Sequence, residues 1–251
     1  EFIKDARIIV DEVPGYPEQV NLTILTQDIW SKGFNVDMNS INAGQIELFD
    51  NNIFGIGHKF QNNILFDYLE NGNPGIESFY RISNFKGSFV DSRFYFLNSF
   101  HTNRYGLELK RSFFSYKTRL VGGYAFYDTR TRENIRKTDT LLSDFLLDYN
   151  ENDLWAGYAF PLSTDSKIFR KRTRLIFAAR YDNIHFYEGP RVEERYNYQY
   201  HNHHLMLGSI SLSRQNFYRS ALIYGFGKTE DIPVGDLITY TFGWEADEFY
   251  K

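Results

Sequence analysis

The feature that most limits what this chain can become is an alternation of period two that recurs from Trp30 onward. In Lys59–Tyr68, Phe60, Ile64, Phe66 and Tyr68 fall on one side and Lys59, Gln61, Asn63 and Asp67 on the other. Arg172–Asp182 sets Arg172, Arg174, Ile176, Ala178, Arg180 and Asp182 against Thr173, Leu175, Phe177, Ala179 and Tyr181. Leu237–Trp244 likewise sets Ile238, Tyr240, Phe242 and Trp244 against Leu237, Thr239, Thr241 and Gly243. Successive side chains of a strand point to opposite faces, so these segments predict strands with one oily and one wet face.

Strands are predicted over Gly33–Ser40, Gln45–Asp50, Lys59–Tyr68, Ile76–Ser83, Ser92–Phe100, Tyr105–Phe114 and Thr118–Thr129. They continue over Leu141–Tyr149, Leu154–Phe160, Arg172–Tyr187, Tyr198–Arg214, Phe217–Gly227 and Leu237–Glu245. Turn signals between them include Asn73-Pro74-Gly75, Lys86-Gly87-Ser88, Asn150-Glu151-Asn152-Asp153, Gln215-Asn216 and Pro233-Val234-Gly235. Short turns joining successive strands imply antiparallel neighbours and a meander. Arg130–Asp139 and Glu188–Asn197 read as longer, charged connections, and loops lengthened at one end are a habit of membrane barrels. Ahead of the meander, Phe2–Val10 and Val20–Thr26 predict a hairpin around Asp11–Gln19, which holds Pro14, Gly15 and Pro17. Two strands cannot bury a core alone, so residues 1–29 form a small unit apart from 30–251. It either packs on the next unit or ends a domain that begins upstream.

Composition narrows the class. At 251 residues the chain can bury a core without staples, and it has no cysteine for a disulfide or thiolate metal site. Its 24 Phe and 19 Tyr exceed what a soluble core of this size needs, which points to a surface that wants aromatic rings. A net charge of -4 gives no global attraction to nucleic acid. The mean hydropathy is -0.47, and no apolar run reaches the roughly 18 residues of a membrane-spanning helix. Barrel insertion stays open, because alternation hides half of each strand's hydrophobicity from averaging. The chain begins at Glu1 without a signal peptide, as a mature or trimmed piece would.

Alternation alone does not separate a membrane barrel from a soluble sandwich or lipocalin-like barrel. Strands of about ten residues, aromatics near strand ends and the lack of helical periodicity favour the membrane. Arg111 is the exception, since it shares a face with Leu107, Leu109 and Phe113.

Three stretches resemble a known family. FIKDARIIV followed by VNLTILTQDIWS, within Phe2–Ser31, resembles the last two strands of a periplasmic POTRA domain. NNIFGIGHKFQNNILFD, Asn51–Asp67, resembles the first hairpin of the BamA/TamA family of outer-membrane assembly and translocation barrels. Ser213–Gly235 is similar to a later strand pair of a branch found in Bacteroidetes-type bacteria. The resemblance implies an all-β fold, an antiparallel meander of transmembrane strands belonging to a sixteen-stranded barrel, preceded by a POTRA-like hairpin. Family members carry an inward-folded loop with an Arg-Gly-Tyr core. No Arg-Gly followed by an aromatic occurs here, which implies a chain that stops before that loop and before the closing strands.

Other chemistry reads weakly. His201, His203 and His204 could hold a metal, but alternation splits His203 from His204 and the sequence identifies no carboxylate partner, so a polar loop or strand end is the expectation. No G-x-S-x-G nucleophile motif occurs, and Gly55-Ile56-Gly57 lacks the helix of a nucleotide loop. Neither an enzyme nor a cofactor is expected. Arg172, Arg174, Arg180 and Asp182 form one wet row and are expected to pair charges inside a lumen. The resemblance implies an outer-membrane insertase or translocase of a Gram-negative bacterium, with outer-membrane lipid, client outer-membrane proteins and accessory lipoproteins as partners. Its lateral seam would be the first barrel strand, with Gly33, Phe34, Asn35, Val36, Asp37 and Met38 offering an open edge to a client strand. A passive porin or transporter barrel is the alternative, and a soluble β-barrel the third.

Overall fold

The computed structural model describes residues 3–28, 30–68, 74–115, 117–136, 142–162, 172–193, 197–221 and 229–247. Two strands, β1 (Ile3–Val13) and β2 (Tyr16–Asp28), pair by themselves. Their turn is tighter than the sequence suggested, because Gly15 takes φ 85° and lets Pro14-Gly15 alone reverse the chain. Ile8, Val10, Leu22 and Ile24 share one face of this hairpin, and all are exposed.

The remaining strands form one antiparallel meander in which every strand pairs with its sequence neighbours. They are β3 (Lys32–Met38), β4 (Ala43–Ile53), β5 (His58–Asp67), β6 (Gly75–Ile82), β7 (Asp91–Ser99), β8 (Thr102–Arg111), β9 (Leu120–Arg136), β10 (Leu142–Pro161), β11 (Arg172–Glu188), β12 (His203–Ala221) and β13 (Thr229–Asp247). Among the described residues there is no α-helix, and no helix is long and apolar enough to cross a membrane.

Register separates the two faces along the whole sheet. One face carries Phe34, Leu48, Ile64, Tyr80, Phe94, Leu107, Phe126, Leu154, Phe177, Ile210 and Tyr240, and the other carries nearly all the charged residues of β4–β8. Burial is inverted relative to a soluble sheet. Val121, Leu147 and Ala159 are the buried apolar side chains among the described residues, while Asn63, Ser99, Thr129, Thr131, Arg174 and Ser211 are buried polar ones. All nine lie on the polar face, which is the more enclosed, although Ser92, also buried, lies on the apolar face. The accessible surface is 18332 Å². A compact soluble monomer of this mass exposes about 11,600 Å².

Several expected breaks in the sheet are absent. Asn150-Glu151-Asn152-Asp153 lies inside β10, so the two strands expected there are one. The run looked like a turn because every residue in it is polar, yet each finds a partner across the sheet: Asn150 donates to Tyr187, Tyr124 donates to Asn152, Arg104 holds Glu151 and Arg180 holds Asp153. Gln215-Asn216 lies within β12 and Pro233-Val234-Gly235 within β13. A proline is tolerated there because β13 is an edge. Tyr198–Tyr200 is a 3-10 turn, and β12 starts only at His203.

Arg130–Arg136, expected as a loop, extends β9 as a charged ladder in which Arg130 faces Asp148 at 4.0 Å and Arg132 faces Asp144 at 2.9 Å. Connection length does not distinguish the two ends of the sheet: residues 83–90 and 112–119 leave from the end opposite to 137–141 and 189–202. Arg111 is the last residue of β8, so its apolar-face position lies at a strand end, where its guanidinium reaches the Phe114 ring at 5.9 Å.

Candidate functional site

The proposed seam strand is one edge of the sheet: β3 pairs with β4 and with no other strand among the described residues. Phe34, Val36 and Met38 oppose Leu48, Ile46 and Gly44 on the apolar face, where the first is 72% exposed. Asn35 and Asp37 oppose Glu47 and Gln45 on the polar face, and Gly33 opposes Phe49. The Phe49 ring covers the place where a Cβ on Gly33 would sit, so this glycine admits a cross-strand aromatic. The apolar face of β3 is thus uninterrupted. Among the described residues β3 and β13 each have an edge with backbone donors and acceptors unclaimed by a second strand, and what sets β3 apart is its length of seven residues. The opposite edge, β13, has 19 residues.

The polar face holds a charge network wider than the row read from β11. Arg180 grips Asp153 through two bonds of 2.7 and 2.9 Å and lies 3.6 Å from Asp182. Arg174 stands apart from this pair by roughly 20 Å of strand rise. It is 6% exposed, lies 4.6 Å from the Phe113 ring centre and donates to Gln215 at 3.5 Å. Arg172 pairs with Gln215 in the ladder, and its side chain lies outside the described residues. The expected network of four is therefore two sites.

A second cluster, unforeseen from sequence, joins β6–β10. Arg104 reaches across β9 to Glu151 at 2.6 Å and stacks over Tyr127 at 4.2 Å. Tyr127 donates to Glu108, which lies 3.5 Å from Arg93, and Tyr95 donates to Glu77 at 3.1 Å. These residues come from five strands, and only register tells which ones meet. A cleft of about 550 Å³ opens on this face, lined by Glu108, Lys110, Asp153, Trp155, Arg180 and Ser209.

The histidines divide as alternation requires, with His204 on the apolar face beside Tyr181 and His203 on the polar face. His203 does have acidic neighbours, Glu245 and Asp247, contributed by β13. Nearby, Tyr200 donates to Glu133 at 3.2 Å, and burial, reinforced by that carboxylate, pushes its phenol above the ordinary value. The sequence matches no protein-family model and no curated protein.

Proposed function

We propose that the chain forms outer-membrane barrel strands of an insertase or translocase in a Gram-negative bacterium, preceded by a POTRA-like hairpin. Client outer-membrane proteins would be assembled or translocated along β3, with accessory lipoproteins assisting and without covalent chemistry. The observation that carries the reading is the exposed apolar band. On β9–β13 it runs through Leu120–Phe126, Leu154–Phe160, Leu175–Tyr181, Met206–Leu212 and Ile238–Trp244, aligned by register. Each is a seven-residue span, about 20 Å from first to last Cα at the rise of a strand. A tilted outer-membrane strand takes about 9–11 residues to cross a lipid-facing band about 25 Å tall, so these spans cover the middle part of such a band. In water, an apolar surface of this extent would drive aggregation. Enclosed charges on the opposite face suit a hydrated interior.

Within that setting, β3 is short, at an edge and open to β-augmentation. The chain has no native cysteine, so a single thiol can report contact. Asn35→Cys should form disulfide adducts with a cysteine-bearing client strand arrested during assembly in proteoliposomes, whereas Gln61→Cys, in a strand paired on both sides, should not. Equal adduct yields at both positions would remove the seam mechanism. The polar-face cleft with Glu108, Lys110, Asp153 and Arg180 supports the second reading, a passive pore. Solute flux without client adducts would establish it instead.

A further inference from the structure

We propose that His201, His203, Glu245 and Asp247 form a structural site for a divalent transition-metal ion, best suited to Zn²⁺. His203 opens β12 directly opposite Asp247, which ends β13, and Glu245 lies one alternation back on the same face. The 3-10 turn at Tyr198–Tyr200 brings His201 beside them, with the two imidazole centres 5.0 Å apart. One donor atom each from His201, His203 and Glu245 lies within 4.8 Å of the others. His201 Nε2 is 3.7 Å from Glu245 Oε1 and 3.7 Å from Asp247 Oδ2. These separations are too long for hydrogen bonds. Donors bound at 2.0–2.2 Å to a tetrahedral ion stand roughly 3.3–3.6 Å apart, so the spacing is close to that of a chelate.

The surrounding groups orient the donors for such an ion. His201 Nδ1 faces the Tyr198 carbonyl, which can only accept, so Nδ1 carries the proton and Nε2 is the nitrogen turned toward the carboxylates. This is how histidine ligands are commonly held from behind. The Tyr198 hydroxyl donates to Asp247 Oδ2 at 2.7 Å, and its ring stacks on His201 at 4.1 Å, so one residue orients two donors. His201 and Asp247 have side chains 5% and 3% exposed. His203 Nδ1 is buried with no hydrogen-bond partner among the described residues. Asp247 is enclosed and Glu245, half exposed, lies on the same face beside His201, so a dication there would balance both carboxylates. His201, His203 and Glu245 supply two nitrogens and one oxygen, and Asp247, 3.7 Å from His201 Nε2, is the fourth donor that a small side-chain shift would bring in; a shell of four protein donors is structural rather than catalytic. Bound metal would pin the 189–202 connection to the end of β13.

The competing arrangement is an imidazolium at His201 balanced by the same carboxylates, and metal titration separates the two. The full chain, freed of metal by chelator, is titrated with Zn²⁺ against a chromophoric competitor and with Co²⁺ as a spectroscopic reporter. One equivalent should bind, with the intense visible bands of tetrahedral Co²⁺, and Zn²⁺ should raise the unfolding temperature. His203→Asn and Glu245→Gln should each weaken binding more than 10-fold. His204→Asn, on the other face, should leave it unchanged. Glu245 is on an exposed edge, so Glu245→Gln keeps the test available if His203→Asn fails to fold. Absence of stoichiometric uptake, or equal affinity in parent and Glu245→Gln, would overturn the site.

Discussion

Strands β3–β8 run for 7–11 residues, whereas β9–β13 run for 17–20. The apolar stretch does not grow with the strand. On β9 it ends at Phe126, and the same face continues as Asp128, Arg130 and Arg132. On β10 the continuous apolar run begins at Leu154, after a stretch of the same face that reads Leu142, Asp144, Leu146, Asp148, Asn150 and Asn152. Strands β9–β11 extend past the band at one end, and β12 and β13 extend past it at the other, through Arg214–Ala221 and Thr229–Asp236. A soluble core would gain apolar surface as its strands lengthened. A band of fixed height with polar extensions is what a slab of fixed thickness imposes. In the proposed membrane setting the short strands would match the slab, and the long ones would cross it and project.

The largest effects are expected from charges placed in the band. Phe177→Arg in the long-strand half and Phe94→Arg in the short-strand half should each destabilise the bilayer-folded state by about 2–4 kcal/mol if both face lipid near its middle. Denaturant titration in lipid vesicles measures this. Arg180→Leu, on the polar face, should leave insertion intact while altering stability or conductance. A penalty at Phe177 but none at Phe94 would show that only the long strands meet lipid, and a penalty for Arg180→Leu larger than that for Phe177→Arg would reverse the faces.

A smaller effect tests whether the two halves are one unit. Arg104 belongs to short β8 and Glu151 to long β10, so their 2.6 Å bond spans the boundary between the halves. Glu151→Gln should destabilise by about 1.5–3 kcal/mol, because it leaves a partly enclosed guanidinium without its carboxylate. Unfolding monitored at each half by a single fluorophore should stay coincident in the parent chain. Separate transitions in the parent would mean that the boundary carries no coupling.

The sequence made the strands legible, together with their faces and the meander, because period two is a local property. It did not reveal strand length in the second half. Asn150–Asp153 and Pro233–Gly235 carry turn chemistry, and only cross-strand partners or an edge position turn them into strand. The charge clusters were half legible for the same reason. Arg180 and Asp182 are visible in one alternating row, but Asp153 enters from a neighbouring strand whose register no local pattern fixes. Likewise Glu245 and Asp247 reach His201 and His203 across 42 or more positions of sequence, beyond any spacing motif. The seam role given to β3 rests only on resemblance, since residues 32–38 read locally like any other two-faced strand.

The smallest expected effect lies in the projecting ladder. Arg132 and Asp144 are 2.9 Å apart with side chains 57% and 53% exposed, in the part of β9 and β10 that leaves the apolar band. If that part stands in water, the pair is screened by solvent and salt, and Arg132→Gln should cost about 0.2–1 kcal/mol, falling toward zero as ionic strength rises. If the slab instead covered the whole length of β9, the same pair would sit in a medium of low dielectric. Removing one partner would then leave an uncompensated buried carboxylate, costing about 3–5 kcal/mol with little salt dependence. Measuring Arg132→Gln stability in lipid at low and high salt therefore locates the water boundary on β9. A large, salt-insensitive loss would place Asp128–Arg132 inside the membrane and dissolve the distinction between band and extension on which the two-part reading of the sheet depends.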